Sequence, residues 1–200
     1  VIACMLPHAG YVYSGSVAAQ TISRINIKSK IILLGPNHTG YGARYSIMPE
    51  GTWQTPLGEI KVDAALAQEI LKRSKHLQAD DEAHMSEHSL EVELPILQYF
   101  KNDFEIVPIT LLSDDFETLK EIGEEIANTV NDGNIKDSAM IIASSDMTHY
   151  EPQGEAEKKD KAAIGAILEL NADKLMDRIQ RLNISMCGYA PVITMISAAK

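Results

Sequence analysis

Three histidines of this chain share a local setting. His8 follows the run Val1 to Leu6, in PHAGYVYSG; His38 follows Lys30 to Leu34, in GPNHTG; His149, with Asp146, follows Ser138 to Ala143, in SSDMTHY. Each run is short, continuous and rich in Ile, Leu, Val or Ala, the composition of a strand buried on both faces. In open α/β sheets, ligands bind outside the carboxyl ends of the strands. The three imidazoles therefore belong to the edge where chemistry is expected. Gly10, Gly35 and Gly40 beside them permit tight turns and close approach of a ligand. Neutral imidazole is the commonest protein ligand for transition metals and also moves protons near neutral pH. Asp146 supports either job, as a ligand or as the group that holds a histidine in one tautomer. One such histidine alone reads as a cap or a surface residue; the repetition carries the weight.

Further candidates lie elsewhere. DDEAHMSEHSLEVELP, Asp80 to Pro95, contains His84, Glu87 and His88 in the spacing H-x-x-E-H. On a helix, this spacing puts two histidines on one face, as zinc peptidases require. The alternative is that Glu87 or His88 points into the strand-end site. Cys187, in MCGYAP, precedes Gly188 and a helix pattern, a position that favours the thiolate, a ligand for Zn, Fe or Cu. Taken alone, a lone cysteine among Met and Gly reads more readily as a buried apolar filler. Tyr11, Tyr13 and Tyr150 offer a stacking face or phenol donors, and Trp53 and Pro56 a border to the cleft; ordinary packing is the competing reading for each. His76, in a charged stretch, reads as surface.

The elements that must position these residues alternate. A fourth strand run, Phe104 to Leu111, resembles the first three, with Pro108 as an objection. Helix patterns run from Ser14 or Ser16 to about Ile25, over ALAQEILKRSK behind an Asp63 cap, over Ser89 to Phe100 with Pro95 in an early turn, and from Asp114 to Asn131. Others cover Glu155 to Leu170, Asp173 to Leu182 behind Asn171, and the apolar stretch from Gly188. Thr52 to Asp63 reads as a hairpin turning at Pro56-Leu57-Gly58. The class is α/β: a mainly parallel central sheet flanked by helices on both faces. One domain spans residues 1–200. It begins inside a strand pattern and stops inside a helix pattern, so truncation at both ends is expected.

Composition bounds the function. With 45% hydrophobic and 23% charged residues, the chain is an ordinary globular one. A formal charge of −10 argues against a nucleic-acid or anionic-membrane surface. No apolar run approaches the ~18 residues of a membrane span. Two cysteines, Cys4 in a strand run and Cys187 before a glycine, suggest a reducing cytoplasm rather than a disulfide framework.

Six segments in order, PHAGYVYSG, GPNHTG, W-x-TPLG, EHSLEVELPILQ, SSDMTHY and CGYAP, resemble the Memo family, from Pro7 to Pro191. That family is similar in fold to the class III extradiol dioxygenases, non-haem iron enzymes that cleave catechol rings. The resemblance implies His8, His38 and Cys187 as metal ligands, with His149 beside the metal. It implies Fe(II) first, with Zn or Cu also admitted, because Cys187 stands where the dioxygenases use a glutamate and makes the site softer. His149, oriented by Asp146, is then the expected acid–base catalyst, and His88 closes the wall. The resemblance also implies partnership with an AMMECR1-like protein and a radical S-adenosylmethionine protein. Three functions are expected to compete: a metal-dependent, dioxygenase-like oxidoreductase; a non-catalytic module binding a metal, a small molecule or a peptide; and, far behind, a zinc peptidase built on His84, Glu87 and His88.

Overall fold

The computed structural model describes residues 2–112 and 115–200, so Val1 of the first expected strand and Asp114 of an expected helix lie outside the described residues. In chain order the first half comprises β1 (Ala3–Leu6), α1 (Gly15–Ile22), β2 (Lys30–Pro36), β3 (Tyr45–Ile47), β4 (Thr52–Thr55), β5 (Gly58–Lys61), α2 (Ala64–Arg73) and β6 (Gln78–Ala79). The second half comprises α3 (Glu82–Met85), α4 (Glu93–Phe100), β7 (Glu105–Leu111), α5 (Phe116–Asp132), β8 (Ala139–Ser144), α6 (Gln153–Leu168), α7 (Ala172–Leu182) and α8 (Tyr189–Ala198).

Six strands form one sheet in the order β1-β8-β2-β7-β3-β6. The first four are mutually parallel, β3 is antiparallel to β7, and β6 is parallel to β3. All of β8, and all but the first residue of β2 and of β7, are buried. Side chains alternate between faces along a strand, so complete burial requires helices on both faces of the sheet, and these are present. α8 packs across β2, β7 and β8 and against α5, while α1 packs on β1 and α4. Gly123 lets α5 approach α8 closely, since a Cβ there would lie 2.5 Å from the Thr194 carbonyl oxygen.

Pro108 sits inside β7 at a tolerated place. Its carbonyl accepts from Met48 N–H on the β3 side, so its missing N–H faces that side too, and the β3 ladder begins only at Ile109. Asp63, Asp115 and Asn171 accept from backbone N–H groups at the starts of α2, α5 and α7. Ser14 flanks α1 without capping it; its hydroxyl donates back to the Gly10 carbonyl at 3.1 Å. The helix expected from Ser89 becomes regular only at Glu93. Pro95 cannot donate to the Glu91 carbonyl, so Ser89–Val92 form tighter turns, with Leu94 N–H on Glu91 at 3.2 Å. The hairpin β4–β5 turns at Pro56-Leu57 as expected, with Gly58 at φ +124°. It lies toward the amino ends of the strands. Val62 bridges Ile106, the Trp53 indole donates to Met48 Sδ, and Thr55 bonds Gln98 of α4. Trp53 and Pro56 therefore do not border a cleft at the carboxyl edge. The short strands β3 and β6 were not foreseen from the sequence.

Candidate metal centre

β1, β8 and β2 are adjacent and parallel, and their last residues are Leu6, Ser144 and Pro36. Two residues beyond each end stand His8, Asp146 and His38. The in-register strand ends place these side chains over one corner of the sheet. Two glycines bring further groups onto it. At Gly35, a Cβ would lie 2.5 Å from Leu90 and 2.7 Å from Ser89 Oγ, so the Glu87–Leu90 segment rests directly on β2. At Gly188, a Cβ would lie 2.3 Å from the Ser144 carbonyl oxygen, so the start of α8 presses Cys187 against the end of β8.

His8 is buried. Its Nδ1 meets Ser144 Oγ at 2.8 Å and its Nε2 lies 3.2 Å from Cys187 Sγ. Ser144 has one hydroxyl hydrogen, which it donates to the Ser89 carbonyl at 2.6 Å. It therefore accepts from His8 Nδ1–H, which leaves the Nε2 lone pair facing the sulfur. Asp146 Oδ1 accepts from the backbone N–H groups of His8 and Ala9, at 2.9 and 3.0 Å, while Oδ2 stands 3.7 Å from His8 Nε2. The Asp146 backbone N–H donates to Cys187 Sγ at 3.3 Å. Glu87 grips His38 at two points, Nδ1 at 2.9 Å and the backbone N–H, and also accepts from Ser89 N–H. His88 stacks on His38 with centroids 5.1 Å apart, and its ring edge meets His8 at 5.5 Å.

Two overlapping sets of donors result, each within 4.8 Å: His8, Asp146 and Cys187, and His8, His38 and His88. His8 belongs to both, and the His38 ring also hydrogen-bonds Cys187. The expected trio of His8, His38 and Cys187 is thus split between the two sets, joined through His8. Asp146 and His88 stand among the donors rather than behind them. Burial raises the Cys187 thiol, but hydrogen bonding within the cluster, that of His38 first, outweighs it and holds the thiol down at about 6. Hydrogen bonds with Cys187 and Glu87 lift His38 to about 10. Glu87, although desolvated, is drawn to about 2 by His38 and by the N–H groups of Ser89 and His38. Desolvation lowers His88. A mixed N, O and S donor set, with the buried His8 ring and the exposed His38 ring each held at Nδ1 by an oxygen partner, fits a first-row transition ion.

Other expected residues lie apart. His149 is outside both donor sets; its Nδ1 donates to the Ser185 carbonyl at 2.7 Å, beside Tyr150. None of Asp146's hydrogen bonds among the described residues goes to His149, so Asp146 braces His8 instead of orienting His149. The peptidase pattern does not form. α3 ends at Met85, before Glu87, and His84 turns away to bond Ser46 Oγ at 3.1 Å and face Trp53. Desolvation pushes His84 down to about 4. His76 bonds Glu121 at 2.6 Å, as a surface pair. Tyr11, Tyr13 and Tyr150 are exposed, Tyr150 fully.

The sequence reading passed over Ser144 and Glu93. Glu93, at 0% exposure, meets Ser144 Oγ at 3.2 Å, and its Oε2 has no hydrogen-bond partner among the described residues. Desolvation raises its pKa to about 8. An acid inside the apolar run VELPIL carries no local sign of burial. Because the folded state holds this proton more tightly than the unfolded chain, Glu93 favours folding below its ordinary pKa, and the advantage is lost as pH rises toward 8. The expected slope is about 1.4 kcal/mol per pH unit between those limits. Urea titrations from pH 5 to 8 should show that component in the wild type, and Glu93→Gln should remove it.

Residues 1–200 match the model of the Memo-like protein family. The chain is 42% identical over 209 residues to a MEMO1 family protein of Methanocaldococcus jannaschii, covering 100% of this chain and 72% of that protein. It is 41% identical over 199 residues to a MEMO1 family protein of Aquifex aeolicus, covering 99% and 73%. A crystal structure of an uncharacterized protein from Escherichia coli K12 shares the fold, with TM-score 0.69 at 15% identity over 98% of this chain and 88% of that one. With the family model matched over residues 1–200 and relatives more than 40% identical across nearly the whole chain, the chain belongs to the Memo family.

Proposed function

We propose that this protein binds a redox-active transition ion at the strand-end corner and works as a dioxygenase-like oxidoreductase. The observation that carries the reading is the convergence of His8 Nε2, Cys187 Sγ and an Asp146 oxygen within 4.8 Å of one another. His8, Cys187 and His38 would hold the ion, with Asp146 and His88 within the same reach. Fe(II) is the ion assigned, with Zn or Cu as alternatives favoured by the thiolate. A bound ion would supply Lewis acidity and, if Fe or Cu, one-electron chemistry.

The chain's own groups have separable tasks. Ser144 fixes the His8 tautomer, and Glu87 fixes His38. Bonds from His38 and the Asp146 N–H keep Cys187 a thiolate at neutral pH, ready to ligate. His88 shields His38 from solvent on one side. His149 is assigned proton transfer: donation from Nδ1 to Ser185 leaves Nε2 as its basic nitrogen. Two free cysteines accord with a reducing cytoplasm, and no described helix is long and apolar enough to cross a membrane. AMMECR1-like and radical S-adenosylmethionine proteins are the proposed partners.

Elemental analysis of protein purified without air, followed by O₂-uptake assays on catechols, tests the proposal. About one Fe per chain, with substrate-dependent O₂ consumption, is the expected result. Bound metal with no uptake across a broad panel would instead favour a non-catalytic binding module. Metal-free protein that takes up neither Fe nor Zn would defeat both.

A further inference from the structure

A cleft of about 380 Å³ opens beside the metal centre, with His38 and Cys187 in its lining. That volume lies within the ordinary range for small-molecule sites. Pro36, Leu111, Leu112 and Ala190 make its walls largely apolar. Its lining includes a single permanently charged side chain among the described residues, Arg44.

Arg44 is held in place by its backbone. Leu112 N–H donates to its carbonyl at 2.8 Å, and the preceding Ala43 N–H donates to Asp80 Oδ2 at 2.6 Å. Gly42 makes that approach feasible: its φ is +72°, and a Cβ there would lie 2.2 Å from the Asp80 carboxylate. No described carboxylate pairs with the Arg44 guanidinium, whereas Arg73 engages both Glu69 and Asp132. In a chain of net charge −10, an arginine on a cleft wall with no acidic partner among the described residues is a candidate anion anchor. A guanidinium presents two parallel N–H groups that match one carboxylate.

We infer that Arg44 anchors the carboxylate of a small, flat, largely apolar acid whose far end lies toward His38 and Cys187. The inference rests on the metal-centre reading for what happens at that far end, but the anchor itself is testable without metal. Calorimetry with benzoate, its neutral isostere benzamide, and phenyl phosphate is the direct measurement, on chelator-treated and on Zn(II)-loaded full-length chain. Wild type should bind benzoate at least tenfold more tightly than benzamide in both forms. Arg44→Gln should equalise the two, leaving benzamide affinity and Zn(II) content unchanged, and Arg44→Lys should fall between. Equal binding of benzoate and benzamide by the wild type, or a preference that survives in Arg44→Gln, overturns the anchor. Tighter binding of phenyl phosphate than of benzoate overturns the carboxylate assignment. An Arg44-dependent preference in protein that binds no metal would sink the proposed function and uphold the anchor; normal metal binding without the preference would do the reverse.

Discussion

Replacing His8 by alanine should reduce metal affinity at least about 100-fold, beyond the 10–100-fold typical of losing a supporting group. His8 is shared by both donor sets, so its removal leaves Asp146 with Cys187 on one side and His38 with His88 on the other. It also removes the Nε2 contact to Cys187 Sγ at 3.2 Å. Competition of Zn(II) or Fe(II) against a chromophoric chelator gives the affinity, and circular dichroism confirms the fold. His84→Ala is the matched control. Its ring is buried against Ser46 and Trp53, so its loss should cost roughly 1–3 kcal/mol of stability while metal content stays at the wild-type level. Full metal content in His8→Ala, or its loss in His84→Ala, would contradict the location of the centre.

The two cysteines should differ in alkylation rate by more than about 1,000-fold at pH 7 in chelator-treated protein. Only the thiolate reacts. Cys187 is held down at about 6 and is mainly ionised at pH 7; Cys4 is pushed up to about 12 by burial and by the nearby Glu93, and stays a thiol. Thiolate at Cys187 is present above about 6 and is lost as pH falls through it. The iodoacetamide rate at Cys187 should therefore reach its half-maximum near pH 6, where an ordinary thiol does so near 8.5. Peptide mass spectrometry reads the two sites separately. Zn(II) loading should protect Cys187, which ties its reactivity to the centre. Equal labelling of both cysteines, or a Cys187 midpoint above 8, would refute the electrostatic description.

Much of this was legible in the residues. Continuous apolar runs identified all four parallel strands, because strands buried on both faces need no polar alternation. Asp63 and Asn171 announced their helices because capping is a local interaction between a side chain and an N–H three residues on. The Pro56-Leu57-Gly58 turn did the same for the hairpin. Less was visible where the cause is remote. β3 and β6 have three and two residues and exist only by pairing at the sheet edge. H-x-x-E-H looked like a metal motif, yet the helix that would align its histidines ends at Met85, and Glu87 is drawn instead to His38, 49 positions earlier.

The candidate donors could be named from order along the chain: a histidine or an aspartate two residues past each of three buried strands, and a thiol before a glycine. Local rules reach that far because strand, turn and cap propensities act over a few residues. Which candidate donors come together was decided by the strand order β1-β8-β2 and by the two glycines that admit Ser89 and Cys187 onto the strand ends. So were the partner that braces His8, the depth of Glu93 and the place of Arg44 on the cleft wall. Those depend on contacts between residues up to 179 apart in the chain, and contact over such separation is specified by packing, which no short stretch encodes.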